Sequence, residues 1–129
     1  MIKTIAAIFI TVLMLITTGF SNEESTSPNE ELYQNVFLSL LMPYISEAVN
    51  NYYTNLLSEM PLVYTYDIEV LGVKRLLDDT SYLFEVDLQV APVIGAHNAV
   101  GEDRLIFYID GTGNVKLKKY QHLKDYPLF

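Results

Sequence analysis

The sequence predicts an α+β fold in which one long helix packs across a four-stranded antiparallel meander sheet. Apolar residues recur at every fourth position from 32 to 52, which is the period of an amphipathic helix. From residue 62 onward, apolar and polar residues alternate, as they do in half-buried strands. Polar turn-forming segments at 78–81 and 110–114 divide this part into hairpins. Packing the helix on the sheet buries the one apolar face that each of them has.

The helix is predicted to begin after Ser27. Ser27 can cap the first turn, Pro28 suits the first helical position, and Glu30 lies three residues after the cap. The predicted apolar face has two adjacent rows, which are Leu32, Val36, Leu40, Tyr44, Ala48 and Tyr52 in one and Phe37, Leu41, Ile45 and Val49 in the other. Pro43 removes one backbone donor, so we expect the helix to kink or divide there.

Four strands are predicted after the helix. The first covers 62–71 and the second 82–90, and the polar turn between them suits an antiparallel pair. A break at 91–101, rich in proline and glycine, separates the second strand from a third at 104–110. The fourth strand covers 115–122 and is polar on one side. This order of one helix and four strands is that of cystatin-like and related folds.

The first 21 residues have the layout of a secretory signal peptide. Lys3 supplies the positive end, residues 5–16 form an apolar run, and Gly19 and Ser21 are small residues before a cleavage point. The alternative is an uncleaved anchor, because the run together with residues 17–20 approaches the length that spans a bilayer.

These boundaries predict a signal peptide at 1–21, a flexible tether at 22–28 and a single α+β domain at 29–129. The tether is polar and lacks an apolar anchor. We therefore expect the domain to be secreted or to lie on the extracellular face of the cell envelope.

Composition excludes several classes of function. The chain has no cysteine, which excludes disulfides, thiol catalysis, cysteine-ligated zinc and a lipoprotein anchor. The formal net charge is −8, and removal of residues 1–21, which carry one lysine and no acid, makes it −9. This acidity disfavours nucleic acid and anionic membranes, so we expect a protein or a cell-wall ligand as the partner.

The break at 91–101 carries the residues best suited to a binding site. His97 and Asn98 lie within it, and Glu102 follows it. An imidazole titrates near neutral pH, so His97 can bind a ligand, hold a metal or transfer a proton. The alternative is that His97 and Asn98 hydrogen-bond the loop backbone and fix its shape.

A metal site would need several ligands that converge. The available ligands are His97, Glu102, Asp103 and His122. No metal-binding spacing such as HExxH occurs among them. We therefore predict neither a metal nor another cofactor, and no catalytic residue is assigned.

The last strand offers a second set of candidate binding residues. The chain has ten tyrosines, and exposed ones suit carbohydrate, peptide or protein surfaces. Tyr120 lies on this strand with Lys116 and Lys118, which could meet an acidic partner such as teichoic acid. The alternative is that the lysines protect an edge strand from pairing with other molecules.

Several stretches together resemble a known family. They are residues 40–45 and 48–53, Tyr66-Asp67-Ile68, Val73-Lys74-Arg75, Phe84-Glu85-Val86 with Gln89-Val90, and Gly95-Ala96-His97-Asn98. The sequence is similar, from about 32 to about 122, to small exported proteins of spore-forming Gram-positive bacteria whose domain has no known function. Two prolines usually follow the Gly-Ala-His-Asn motif in that family, where this chain has Ala99 and Val100. The resemblance implies export and the fold, and no activity.

Three functions are compatible with these observations, and a non-catalytic exported binding domain is favoured because no catalytic motif is present. The alternative is an enzyme with a pocket between helix and sheet, whose general base would be one of Asp67, Glu85, Asp87 and His97. Alternation places the first three on the polar face of the sheet. A further alternative is a protease inhibitor, because residues 89–93 are similar to a cystatin hairpin.

Overall fold

The computed structural model describes residues 27–128 and confirms the α+β fold. The elements are α1 (Pro28–Tyr53), β1 (Ile68–Arg75), β2 (Phe84–Val90), β3 (Val93–Ile94), β4 (Asn98–Ala99), β5 (Gly101–Ile109) and β6 (Val115–Asp125). The predicted signal peptide and most of the predicted tether lie outside these residues. Within the described part of the chain, no helix has the length and apolar character to span a membrane.

The main sheet is the predicted four-stranded meander, with the order β1-β2-β5-β6 and antiparallel pairing throughout. Val86 pairs with Phe107 and Leu88 with Leu105, so the two central strands present their apolar residues on one face. The 91–101 break contains β3 and β4, which form a small separate hairpin. Leu62 adds one bridge to Val93 at the edge of this hairpin.

The start of α1 agrees with the sequence prediction. The Ser27 hydroxyl accepts a hydrogen bond from the Glu30 backbone at 3.3 Å, and the Glu30 carboxylate accepts one from the Ser27 backbone at 3.2 Å. These two bonds satisfy backbone donors that have no partner within the helix. Pro43 lies inside one continuous helix, so the predicted division there is wrong.

The predicted helix face is half wrong. Its buried residues are Leu38, Leu41, Ile45, Ala48, Val49 and Tyr53. The residues Leu32, Tyr33, Val36, Leu40 and Tyr44 are exposed, and we name them the helix stripe. Every residue from 27 to 36 is exposed, so no side of the first turns of α1 is covered by the sheet. Leu40 and Tyr44 lie farther along the helix, outside the arc that faces the core.

The first predicted strand is also wrong over its first half. Residues 62–67 contain the Leu62 bridge and a short 3-10 helix, Thr65–Asp67, before β1 begins at Ile68. Leu62 alone of this segment bridges to the β3–β4 hairpin, and the alternation at 62–67 does not mark a place in the main sheet. The third and fourth strands are longer than predicted, because β5 begins at Gly101 and β6 continues to Asp125.

The two faces of the sheet differ as the alternation predicts. The helix side carries the core residues Val86, Leu88, Val90, Leu105 and Phe107. On the opposite side the Arg104 Nε donates to Asp87 at 2.8 Å, and the Lys74 ammonium lies 3.2 Å from Glu85. Glu85 and Asp87 are thus occupied as ion-pair partners.

Two neighbouring leucines test the corrected helix face. Leu41 is 3% exposed and Leu40 is 71% exposed. We expect Leu41→Ala to lower the free energy of unfolding by about 2–5 kcal/mol, because it leaves a cavity in the core. Leu40→Ala should change it by less than about 0.5 kcal/mol. Urea unfolding of residues 22–129 measures both, and equal losses would contradict the burial of Leu41 and the exposure of Leu40.

Candidate functional site

One carboxylate is enclosed in the core on the helix side of the sheet. Asp103 is fully buried, and among residues 27–128 it is the one charged side chain that is buried. It belongs to the alternating series of β5 that faces α1 together with Leu105 and Phe107. A buried charge costs several kcal/mol unless it is paired and hydrogen-bonded, so the partners of Asp103 decide what this region can do.

Two side chains from other elements hold the Asp103 carboxylate. The Tyr53 hydroxyl, at the last residue of α1, donates to Asp103 Oδ2 at 2.8 Å. The His122 Nδ1 lies 2.6 Å from Asp103 Oδ1, and the two residues are paired across β5 and β6. One carboxylate therefore connects the end of the helix to two strands.

The second nitrogen of His122 faces another carboxylate. Its Nε2 lies 2.7 Å from Asp125 Oδ1, and the Asp125 side chain is 89% exposed. The hydrogen bond to Asp103 is the largest cause of a raised His122 pKa, and Asp125 adds to it. The imidazolium form satisfies both contacts, because both of its nitrogens then donate.

Aromatic rings surround this pair. The Tyr52 ring stacks on the rings of Tyr120, at a centroid distance of 4.9 Å, and His122, at 5.2 Å. The Tyr120 hydroxyl is buried without a hydrogen-bond partner. Burial, followed by the charge of Asp103, raises its pKa, and the pKa of Tyr53 is raised by burial and by its bond to Asp103. Both hydroxyls stay neutral.

His122 opens onto a cleft of about 390 Å³, which we name the His122 cleft. The exposed Asp125 side chain also lines this cleft, and the rest of its walls are aromatic and aliphatic, formed mainly by Tyr52, Leu56, Leu57, Val100, Tyr126 and Leu128. This cleft combines an imidazole of raised pKa with apolar walls. Such a combination is common in ligand sites.

A second cleft, of about 380 Å³, lies beside the β3–β4 hairpin, and we name it the His97 cleft. It is lined by His97 and Asn98 on one side and by the segment 126–128 on the other. His97 has φ +60° and Gly95 has φ +53°, so the hairpin turn contains two left-handed residues. A positive φ is uncommon outside glycine, although histidine adopts it more readily than most residues, and such positions recur at functional sites.

Two stacked tyrosines lie next to His97, outside the lining of the His97 cleft. The rings of Tyr64 and Tyr66 are stacked with centroids 5.2 Å apart and planes 4° apart. The Tyr66 hydroxyl lies 3.3 Å from His97 Nδ1, and the Tyr66 side chain is largely exposed. We name this pair the tyrosine shelf. His97 lies between the shelf and the cleft.

Glu102 supports the wall between the two clefts. Its carboxylate accepts a hydrogen bond from the Tyr126 hydroxyl at 2.6 Å, which raises the Tyr126 pKa. The Tyr126 backbone N–H also donates to the Val100 carbonyl at 3.1 Å. Tyr126 lines both clefts, so these two bonds set the shape of each.

The predicted site residues thus fall into separate regions. His97, Asn98 and Glu102 lie on or beside the His97 cleft, while Tyr120 is enclosed by the aromatic layer next to Asp103. Lys116 and Lys118 are exposed near the opposite end of β6. Lys118 is separated from Asp125 by roughly 20 Å of strand at about 3.3 Å per residue. Its ammonium lies over the Tyr108 ring, 4.9 Å from the centroid.

The possible metal ligands are divided in the same way. Asp103 and His122 bind each other, whereas His97 belongs to the other cleft. Residues 27–128 contain no group of three or more His, Asp or Glu side chains placed to hold a metal ion.

Sequence reasoning missed the central role of Asp103, Tyr53 and His122. The available signal was the alternation of Asp103 with Leu105 and Phe107, which places an acid on the apolar face. A predicted strand that began at residue 104 left this acid in the preceding loop.

Comparison with known proteins gives a family. The family model described as "Protein of unknown function (DUF3888)" matches residues 33–124. The chain belongs to this family. The DUF3888 match extends from α1 into β6 and includes His97, Asp103 and His122. No curated protein and no solved structure matches the chain.

The titration of His122 tests whether its imidazole contacts both Asp103 and Asp125. We expect its folded-state pKa to lie above 6.5, and Asp125→Asn to lower it without bringing it down to 6.5, because Asp103 remains. A folded-state pKa raised in this way stabilises the fold fully below 6.5, and the contribution is lost as the pH rises through the raised value. NMR of the imidazole signals measures the pKa, and a value at or below 6.5 would exclude the double contact.

Two glycines provide a matched test of the packing around Asp103. A Cβ on Gly101 would lie 2.4 Å from the Lys124 carbonyl oxygen and 3.0 Å from both His122 and the Tyr53 hydroxyl. A Cβ on Gly72 would meet nothing within 4 Å. We expect Gly101→Ala to lower the free energy of unfolding by about 1–3 kcal/mol. Gly72→Ala should leave it nearly unchanged, and thermal unfolding compares them. Similar values for both would show that the Gly101 contact is loose.

Proposed function

We propose that this DUF3888 protein is a non-catalytic, exported binding domain whose ligand site is the His97 cleft with the tyrosine shelf. The observation that supports it most is His97 itself. It is exposed in a left-handed backbone conformation, between a cleft and two stacked tyrosine rings. A conformation that costs free energy and presents a polar ring at the surface is typical of a recognition position.

The chemistry of this site favours a neutral, polyhydroxylated ligand. The tyrosine shelf offers a flat apolar face with polar tips, which suits sugar rings and peptides. His97 and Asn98 add hydrogen-bonding groups, and no Lys or Arg is among the residues that line the cleft. We therefore propose a glycan of the cell wall as the ligand class, rather than an anionic polymer such as teichoic acid.

Location outside the cytoplasm is part of the same proposal. The layout of residues 1–21 supports export, and so does the similarity to small exported proteins of spore-forming Gram-positive bacteria. The absence of cysteine and the net charge of −8 are compatible with a soluble domain in the cell envelope or outside the cell.

Two other functions have less support. The enzyme alternative gains a candidate acid–base group in His122, but the lining of the His122 cleft includes no serine, cysteine or lysine that could act as a nucleophile. The cystatin-like inhibitor would have to insert residues 90–95 into a protease cleft. Val90, Pro92 and Val93 are buried in this protein, which disfavours such an insertion.

Titration of residues 22–129 with cell-wall glycan fragments, monitored by amide NMR, tests the proposal. We expect shifts at 64–66, 94–99 and 126–128. Tyr66→Ala and His97→Ala should each weaken binding by roughly tenfold, because each removes a contact surface or a hydrogen bond. Lys118→Ala, at the far end of β6, is the matched control and should bind normally.

The opposite pattern would overturn the proposal. Binding that survives Tyr66→Ala and His97→Ala but fails in Lys118→Ala would place the ligand on β6 and favour an anionic polymer. Inhibition of papain that is lost on altering residues 90–95 would favour the protease inhibitor.

A further inference from the structure

We propose that the His122 cleft is a second binding site, which takes a small carboxylic acid with an apolar body. This inference does not rest on the function proposed for the His97 cleft. It rests on the two carboxylates around His122, on the walls of the cleft and on the exposure of Asp125.

The two carboxylates around His122 have unequal positions. Asp103 is fully buried and is held by Tyr53 as well as by His122. Asp125 contacts the opposite nitrogen from the solvent side and has no other side-chain partner among the described residues. The buried pair is therefore complete without Asp125. The outer N–H of the imidazolium remains a donor for any carboxylate that reaches the cleft.

Asp125 acts in this structure as an intrachain substitute for a ligand carboxylate. Its side chain is 89% exposed, and exposed ion pairs contribute little to stability because water and salt screen them. A ligand carboxylate that also buries apolar surface has an advantage over Asp125, which buries none. Asp125 can then turn into solvent without leaving the buried pair incomplete.

The walls of the cleft supply that apolar surface. Leu56 is 62% exposed and Leu128 is 49% exposed, and both line the cleft with the Tyr52 ring. A volume of about 390 Å³ lies within the range of small-molecule sites. A ligand body of six to ten carbons would cover these side chains and add the favourable burial that Asp125 lacks.

Asp125 is the carboxylate of the cleft lining, so turning it into solvent moves away the charge that most directly opposes an anion there. The hydroxyls of Tyr52, Tyr53 and Tyr120 are neutral, since burial raises the pKa of each. The Lys124 ammonium lies over the Tyr126 ring, 4.7 Å from its centroid, and Tyr126 forms part of the wall. The imidazolium and Asp103 offset each other's charge, so the cleft offers a ligand carboxylate the outer imidazolium N–H as a charge-assisted hydrogen-bond donor rather than a net positive charge.

Three probes of different chemistry test the inference: octanoate, octanamide and acetate. Residues 22–129, which include every described residue, are titrated with each at about pH 6, where the imidazolium form is present. We expect octanoate to shift the signals of Leu56, Val100 and His122. Octanamide lacks the charge and acetate lacks the apolar body, so each should bind at least tenfold more weakly than octanoate.

Asp125→Asn is the decisive variant, because the inference requires it to tighten octanoate binding, by roughly threefold or more, through removal of the competing charge. A structural role for Asp125 alone predicts no such gain. Leu56→Ala should weaken binding several-fold, and Leu40→Ala, an exposed leucine on the helix stripe, is its matched control. His122→Gln should abolish the preference for octanoate over octanamide. Leu56→Ala and Asp125→Asn keep the test valid if His122→Gln fails to fold.

Three results would overturn the inference. They are equal affinity for octanoate and octanamide, unchanged affinity in Asp125→Asn, and octanoate shifts confined to the helix stripe. His97→Ala should leave octanoate binding unchanged, so failure of this inference and failure of the glycan proposal are separate outcomes.

Discussion

The carboxylate of Asp103 is the charge around which the helix and the sheet are arranged. Tyr53 donates to it from the end of α1, and His122 contacts it from β6, so the position of the helix end relative to both strands follows from two hydrogen bonds. Breaking a buried ion pair by removing one partner typically costs about 3–5 kcal/mol, because the other charge stays buried. Apolar residues such as Ile45 and Leu88 supply most of the burial, while Asp103 fixes the geometry in which they meet.

Both clefts follow from this arrangement. Tyr53 and Asp103 orient His122, which gives the His122 cleft its single strong donor. Gly101 begins β5 beside them, where a side chain would meet the Lys124 backbone. The chain then passes from β6 to Tyr126, whose bonds to Val100 and Glu102 close the wall of the His97 cleft. The core network thus positions two surface clefts whose linings differ in chemistry.

The sequence predicted the elements whose signals are local. The capping box at Ser27 and the hairpin turn at 110–114 each depend on side chains within a few residues, and both are present. The buried face of α1 and the start of β1 depend on which other element packs against each residue. Hydrophobic alternation or period alone does not contain that information. Residues 62–67 alternate as a strand does, yet Leu62 forms a single bridge to Val93 and 65–67 form a 3-10 helix.

The candidate sites also differ in whether their residues are close together in the sequence. His97 and Asn98 could be selected from the sequence alone, because a histidine within a proline- and glycine-rich break between strands is a local signal. Asp103 and His122 are nineteen positions apart, and only the register of β5 on β6 brings them together. Tyr53 is farther still, at the end of a helix whose rotation the sequence misjudged. A site assembled from three elements carries no local pattern.

The wall shared by the two clefts has a thermodynamic consequence. Tyr126 and Leu128 line both of them, so a ligand that moves this segment in one cleft alters the shape of the other. Linkage is reciprocal: if occupancy of one cleft changes the dissociation constant of the other by some factor, the reverse effect has the same factor. The hydrogen bond between Tyr126 and Glu102 restrains this shared wall, so any coupling between the two clefts would act through that contact.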